Sequence, residues 1–86
     1  GSLSIYPNPY LEQVNISFEL MERTNVSLEI YNLLGEQIKV IERGVKSSGV
    51  YHYTFSAKEN GHSPGIYLLR LRLNEEVLVR RLIELR

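Results

Sequence analysis

The sequence predicts an all-β domain, a seven-stranded antiparallel Ig-like β-sandwich. Three observations carry that prediction. Apolar and polar residues alternate with period two through most of the chain, the signature of strands with one buried face. The i, i+3, i+4 pattern of an amphipathic helix is absent over any useful length. Turn residues punctuate the chain at the short, regular spacing of a sandwich.

The elements follow in order. Leu3–Tyr6 is a short first strand, stopped by Pro7 and Pro9. In Glu12–Leu20, Val14, Ile16, Phe18 and Leu20 alternate with Gln13, Asn15, Ser17 and Glu19, and Met21–Thr24 is a turn. Asn25–Asn32 repeats the pattern with Val26, Leu28 and Ile30 facing inward. Asn32-Leu33-Leu34-Gly35 makes a tight hairpin in which Gly35 takes a positive φ at no side-chain cost. The return strand, Glu36–Glu42, has Ile38 and Val40 as inner residues, and a polar loop runs from Gly44 to Gly49. Val50–Ser56 places Tyr51, Tyr53 and Phe55 on one face and His52 and Thr54 on the other. Ala57–Pro64 is the longest irregular stretch. Gly65–Leu73 turns Tyr67, Leu69, Leu71 and Leu73 one way and Arg70 and Arg72 the other. A turn at Asn74-Glu75 leads to the last strand, Glu76–Leu85, with Ile83 and Leu85 in the core. The predicted core is Val14, Ile16, Phe18, Val26, Leu28, Ile30, Ile38, Phe55, Tyr67, Leu69 and Leu71.

Composition narrows the function. Eighty-six residues make one domain, and a chain this short hides only about 60% of its unfolded surface. A 43% share of hydrophobic residues argues for a globular fold rather than disorder. No apolar run reaches the ~20 residues of a spanning helix, so no membrane span is expected. Gly1-Ser2 reads as the scar of tag removal, and residues 3–86 as one domain cut from a larger protein. Ten basic residues balance ten acidic ones, which argues against nucleic acid as a partner, since that needs excess positive charge. There is no cysteine and no aspartate.

An enzyme reading has little support. No G-x-S-x-G elbow is present. The two histidines, His52 and His62, are isolated, and no spacing suggests zinc or calcium; no cofactor or metal is expected. His52 fits a structural role on its strand, and His62 a solvated loop. The row Tyr51, Tyr53, Phe55 could stack on sugars but fits the core better at this spacing. Tyr10 and Tyr31 are better candidates for surface aromatics. Five of the ten basic residues, Arg70, Arg72, Arg80, Arg81 and Arg86, fall in the last seventeen positions. In a terminal hairpin Arg70, Arg72 and Arg80 would share a face. That face is either a solvated surface deterring edge pairing or a docking strip for carboxylates, which the planar arginine fork suits.

Four short motifs stand in order: Tyr6-Pro7-Asn8-Pro9, Leu34-Gly35-Glu36, Gly65-Ile66-Tyr67, and Arg80-Arg81-Leu82-Ile83-Glu84-Leu85-Arg86. Together they resemble the C-terminal sorting domain of type IX (Por) secretion cargo, over nearly all of residues 3–86. The resemblance departs in three places. Arginines replace the usual lysine pair, Glu84 stands where relatives carry an apolar residue, and Ser56 where an aspartate often follows the aromatic strand.

The resemblance implies a non-catalytic terminal signal on a secreted protein of a Gram-negative bacterium. Its cargo, covalently fused upstream, would pass through the periplasm to the outer-membrane type IX translocon, and then to the cell surface or the medium. A sortase-like cysteine peptidase would typically remove the signal. Recognition would fall on Arg80, Arg81, Leu82 and Arg86 of the terminal strand, on Gly65 and Tyr67, and on Pro7, Asn8 and Pro9. Strand addition at the terminal edge is a fitting mode. The competing reading is an accessory adhesion or carbohydrate-binding sandwich, with function on exposed aromatics and loops.

Overall fold

A computed structural model describes residues 2–86. Gly1, half of the expected tag scar, lies outside the described residues. Seven strands form: β1 (Leu3–Tyr6), β2 (Val14–Leu20), β3 (Thr24–Tyr31), β4 (Gln37–Lys46), β5 (Gly49–Phe55), β6 (Gly65–Leu73) and β7 (Glu76–Glu84). A single 3-10 turn, Lys58–Asn60, interrupts the stretch between β5 and β6. No helix among the described residues is long and apolar enough to cross a membrane.

The strands make two antiparallel sheets, ordered β1-β2-β5 and β4-β3-β6-β7. In chain order this is the immunoglobulin arrangement with the fourth strand paired to the third instead of the fifth. Inward residues of both sheets merge into one core: Val14, Ile16, Phe18 and Phe55 from one, Val26, Leu28, Ile30, Leu69, Leu71 and Leu82 from the other. Phe18 stacks on Tyr51 and Tyr53 at ring-centroid distances of 5.7 and 6.0 Å. The aromatic row is therefore core, with Tyr51 and Tyr53 half-buried at its margin. The Tyr53 hydroxyl donates to Glu42 Oε1 at 2.9 Å, tying β5 to β4 of the opposite sheet; burial and then the Glu42 carboxylate raise its pKa.

The β3–β4 hairpin forms where the motif predicted it. Gly35 has φ +86°, a conformation side-chain-bearing residues rarely adopt. Asn32 organises the turn: its Oδ1 accepts from the backbone N–H groups of Leu34 and Glu36, both at 2.9 Å.

Strand β4 departs from expectation. It runs on to Lys46, so part of the expected Gly44–Gly49 loop is ladder. Its register slips opposite Leu28/Glu29 and again opposite Ile30/Tyr31. Each bulge shifts the side-chain phase by one. Ile38 and Ile41 are thus partly buried against the core, while Val40, expected inside, is exposed.

The last strand also corrects the expected phase. Tyr67 pairs with Leu82 and Leu69 with Arg80, so Leu78, Arg80, Leu82 and Glu84 face inward and Val77, Val79, Arg81 and Ile83 outward. Leu82 and Glu84 are buried. Ile83 is half-buried on the outer face and Leu85 is exposed, so neither is core.

Candidate recognition surface

The strand pairings give the sandwich two distinct ends. Leu3, the Leu20–Thr24 connection and the Leu73–Glu76 turn lie at one. The other gathers Tyr6–Tyr10, the Leu34-Gly35-Glu36 turn, Gly65–Tyr67 and the end of β7. All four sequence motifs lie toward this second end, the first of them starting at Tyr6, where β1 finishes.

Asn8 makes the central contact. Its Nδ2 donates to the Arg81 carbonyl at 2.7 Å, and its Oδ1 accepts from the Ile83 N–H at 3.0 Å. One side-chain amide thereby fills the outward backbone groups that a neighbouring strand would fill. Tyr10 continues the pairing with its main chain. Its N–H donates to Ile83 O at 2.9 Å and its carbonyl accepts from Leu85 N–H at 2.8 Å, a short parallel bridge. Pro7 and Pro9 both follow cis peptide bonds, and both are exposed. The free edge of β7 is therefore covered at the Arg81 carbonyl, at both backbone groups of Ile83 and at the Leu85 N–H.

Tyr10 anchors this segment and overturns its reading as a surface aromatic. The residue is 1% exposed, and its hydroxyl is buried without a well-formed hydrogen bond, near the Glu84 carboxylate. Burial, and next the nearby Glu84 carboxylate, raise its pKa. Tyr31, the other expected surface aromatic, is half-buried and donates to Glu29 Oε1 at 2.8 Å.

Gly65 opens β6 at φ +147° opposite Glu84, in a conformation that favours glycine. Tyr67 is buried, packs edge-on against Phe55 at 6.3 Å and donates its hydroxyl to the Ser63 carbonyl. Burial and the Glu84 charge raise its pKa. Glu84, the departure from the expected apolar residue, is 2% exposed. Its Oε1 accepts from Ala57 N–H at 2.7 Å and its Oε2 from Lys58 N–H at 3.1 Å. It caps the start of the 3-10 turn, where unpaired N–H groups favour an anion. Lys58 Nζ in turn donates to the Arg86 carbonyl.

The arginines divide differently from the expected strip. Arg70, Arg72 and Arg81 lie on the outer face of the β6–β7 hairpin, beside exposed Ile66, Val77 and Val79. Arg80 points to the opposite face and is exposed at the sheet margin, its Nη1 donating to Val79 O at 3.0 Å. Leu82 is fully buried and offers nothing to a partner. Arg86 is exposed beyond the strand. His52 sits on a solvated face with Nε2 3.1 Å from Asn15 Oδ1, and His62 is exposed. Among the described residues no three histidine or glutamate side chains come together as a metal site would require.

A polar cluster that the sequence did not announce lies on the outer face of the four-stranded sheet. Glu29, 5% exposed, accepts from Arg43 Nη2 at 2.6 Å, Arg70 Nη1 at 3.3 Å, Ser27 Oγ at 2.8 Å and the Tyr31 hydroxyl at 2.8 Å. Burial works against its charge, but the hydrogen bonds from Arg43, Tyr31, Ser27 and Arg70 outweigh it and hold the pKa at about 2. A carboxylate depressed in the folded state stabilises fully above its unfolded pKa, near 4.5, and loses that contribution as the pH falls through about 2. We expect acidification across this window to remove about 2–3 kcal/mol through Glu29, the upper end trimmed by the exposure of Arg43. Urea titrations at stepped pH check this: Glu29→Gln should be less stable at neutral pH and show a flatter acid limb. An unchanged limb would contradict it.

Comparison with known proteins adds one finding. A family model described as secretion system C-terminal sorting domain matches residues 4–84. No curated protein and no solved structure matches the chain.

Proposed function

The chain belongs to the secretion system C-terminal sorting domain family, and from that premise we propose that the end of the sandwich that gathers the four motifs is the surface read by the type IX (Por) machinery. A domain of this family is a sorting signal joined to cargo upstream, and it directs that cargo to the cell surface or beyond in Gram-negative bacteria. The observation that carries the proposal is the pairing of Asn8 and Tyr10 with Arg81, Ile83 and Leu85. It joins the first and last motifs into one composite surface.

In this reading the signal is a folded shape, not a linear tail. Pro7, Asn8 and Pro9 form its rim, Gly65 and Tyr67 set its floor, and exposed Arg80, Arg81 and Arg86 supply charge to the outer-membrane translocon. Leu82 serves by packing alone. Strand addition by the translocon at β7 would fall before Arg81, since Asn8 and Tyr10 occupy the edge beyond it. The domain performs no chemistry of its own. Transit of the cargo through the periplasm and removal of the domain by a sortase-like cysteine peptidase complete the route. The placement of the aromatics weighs against the adhesion or carbohydrate-binding alternative. Tyr10 and Tyr67 are core, Tyr31 is tied to Glu29, and Tyr6 stands alone on the surface.

The test is export of a periplasm-targeted reporter fused to residues 3–86 in a type IX-competent host. Both arginines at the end of β7 are exposed, so Arg80→Glu with Arg81→Glu should shift stability by no more than roughly 1 kcal/mol. We expect unchanged melting and reporter retained in the periplasm. Normal export of the double variant would remove the arginines from the signal. Failure of the unsubstituted fusion would overturn the reading itself.

A further inference from the structure

The outer face of the four-stranded sheet holds a second feature, apart from the motif-bearing end. Strand register places Ser27 between Arg43 on β4 and Arg72 on β6 in one cross-strand row, with Glu29 and Arg70 in the next. Neighbouring strands lie about 4.8 Å apart, so the two flanking arginines rise on either side of a small serine. The result is a groove of about 350 Å³, closed at one end by Asn25 and Asn74.

Each arginine is held by an anchor that uses only part of its donor set. Arg43 Nη2 and Arg70 Nη1 bind Glu29, and Arg72 Nε donates to the Asn74 carbonyl at 2.9 Å. A guanidinium has five N–H donors in a rigid fork. The three side chains line the groove, and each anchor removes part of the side-chain ordering cost that a ligand would otherwise meet. Glu29 is saturated by its own partners and does not reach out for a cation. Three guanidinium groups against one carboxylate leave the groove with a local excess of two positive charges in a chain of zero net charge.

We propose that this groove binds a small dianionic oxyanion, either a phosphate ester or a dicarboxylate. The fork geometry suits both sources, and the polar walls suit neither an apolar ligand nor a cation. The site stands independently of the export reading, because it uses none of the residues placed in the composite signal.

The experiment follows the arginine Nε–Hε NMR signals of the domain during titration with inorganic phosphate and, separately, with succinate, at neutral pH and constant ionic strength maintained with chloride. The expected result is a saturable shift confined to Arg43, Arg70 and Arg72. Saturation by phosphate alone assigns a phosphate ester; saturation by succinate assigns carboxylates. Arg72→Gln should weaken binding roughly tenfold or more with melting unchanged, because Glu29 does not depend on Arg72. Arg72→Lys, which keeps the charge and loses the fork, should fall between. Shifts that fail to saturate, that appear equally at Arg80, Arg81 and Arg86, or that persist undiminished in Arg72→Gln would overturn the proposal.

Discussion

Glu84→Leu should destabilise the domain by about 2 kcal/mol, although it installs the apolar residue that the sequence resemblance implies at this position. The carboxylate accepts from two backbone N–H groups, Ala57 and Lys58, and is nearly sealed from water. Leucine leaves both donors without a partner, at about 1–3 kcal/mol each. Burying the new side chain returns about 1.5–3 kcal/mol at most. Glu84→Gln keeps one acceptor and turns a donor toward the other N–H, so its cost should lie between. Urea titration decides the order. A leucine variant as stable as the parent would mean that the 3-10 turn is satisfied without Glu84.

Leu28→Ala should cost about 2–5 kcal/mol, the range for truncating a buried leucine. Leu28 is fully buried on β3, which is hydrogen-bonded on both sides, to β4 and to β6. Strands anchored on two sides move little into a void, which favours the upper part of the range. The measure is the shift in denaturation midpoint at constant m-value. A loss below about 1 kcal/mol would show that the two sheets collapse around the cavity.

The inner rows Val14, Ile16 and Phe18 of β2 and Val26, Leu28 and Ile30 of β3 were legible because each alternates cleanly with polar residues, and in β6 the outward Arg70 and Arg72 set the phase of Leu69 and Leu71 despite an apolar Leu68. Strand β4 was misread at Val40 because two bulges break the period, and a bulge has no signature in Gln37–Glu42 itself. Strand β7 was misread because it is apolar on both faces. Val77, Val79 and Ile83 compete with Leu78 and Leu82, and the inward Glu84 disguises the correct phase. The four motifs could be named in order from sequence, but not their meeting. Asn8 and its partners are 73 and 75 residues apart, and nothing local marks an asparagine as a substitute strand. Glu29 escaped notice for the same reason: Arg43 and Arg70 reach it only through cross-strand register.

The pairing of Asn8 with Arg81 and Ile83 also sets the order in which the domain can be completed. The two sides of that contact are separated by almost the whole domain, and the entropy of closing so long a loop is recovered only when both sides are present. The fold therefore cannot be completed before Ile83 and Leu85 have joined Asn8 and Tyr10 in the same compartment. Closure of Asn8 onto β7 thus acts as a punctuation mark: a chain that stops short of Ile83 lacks the partner that seals the fold.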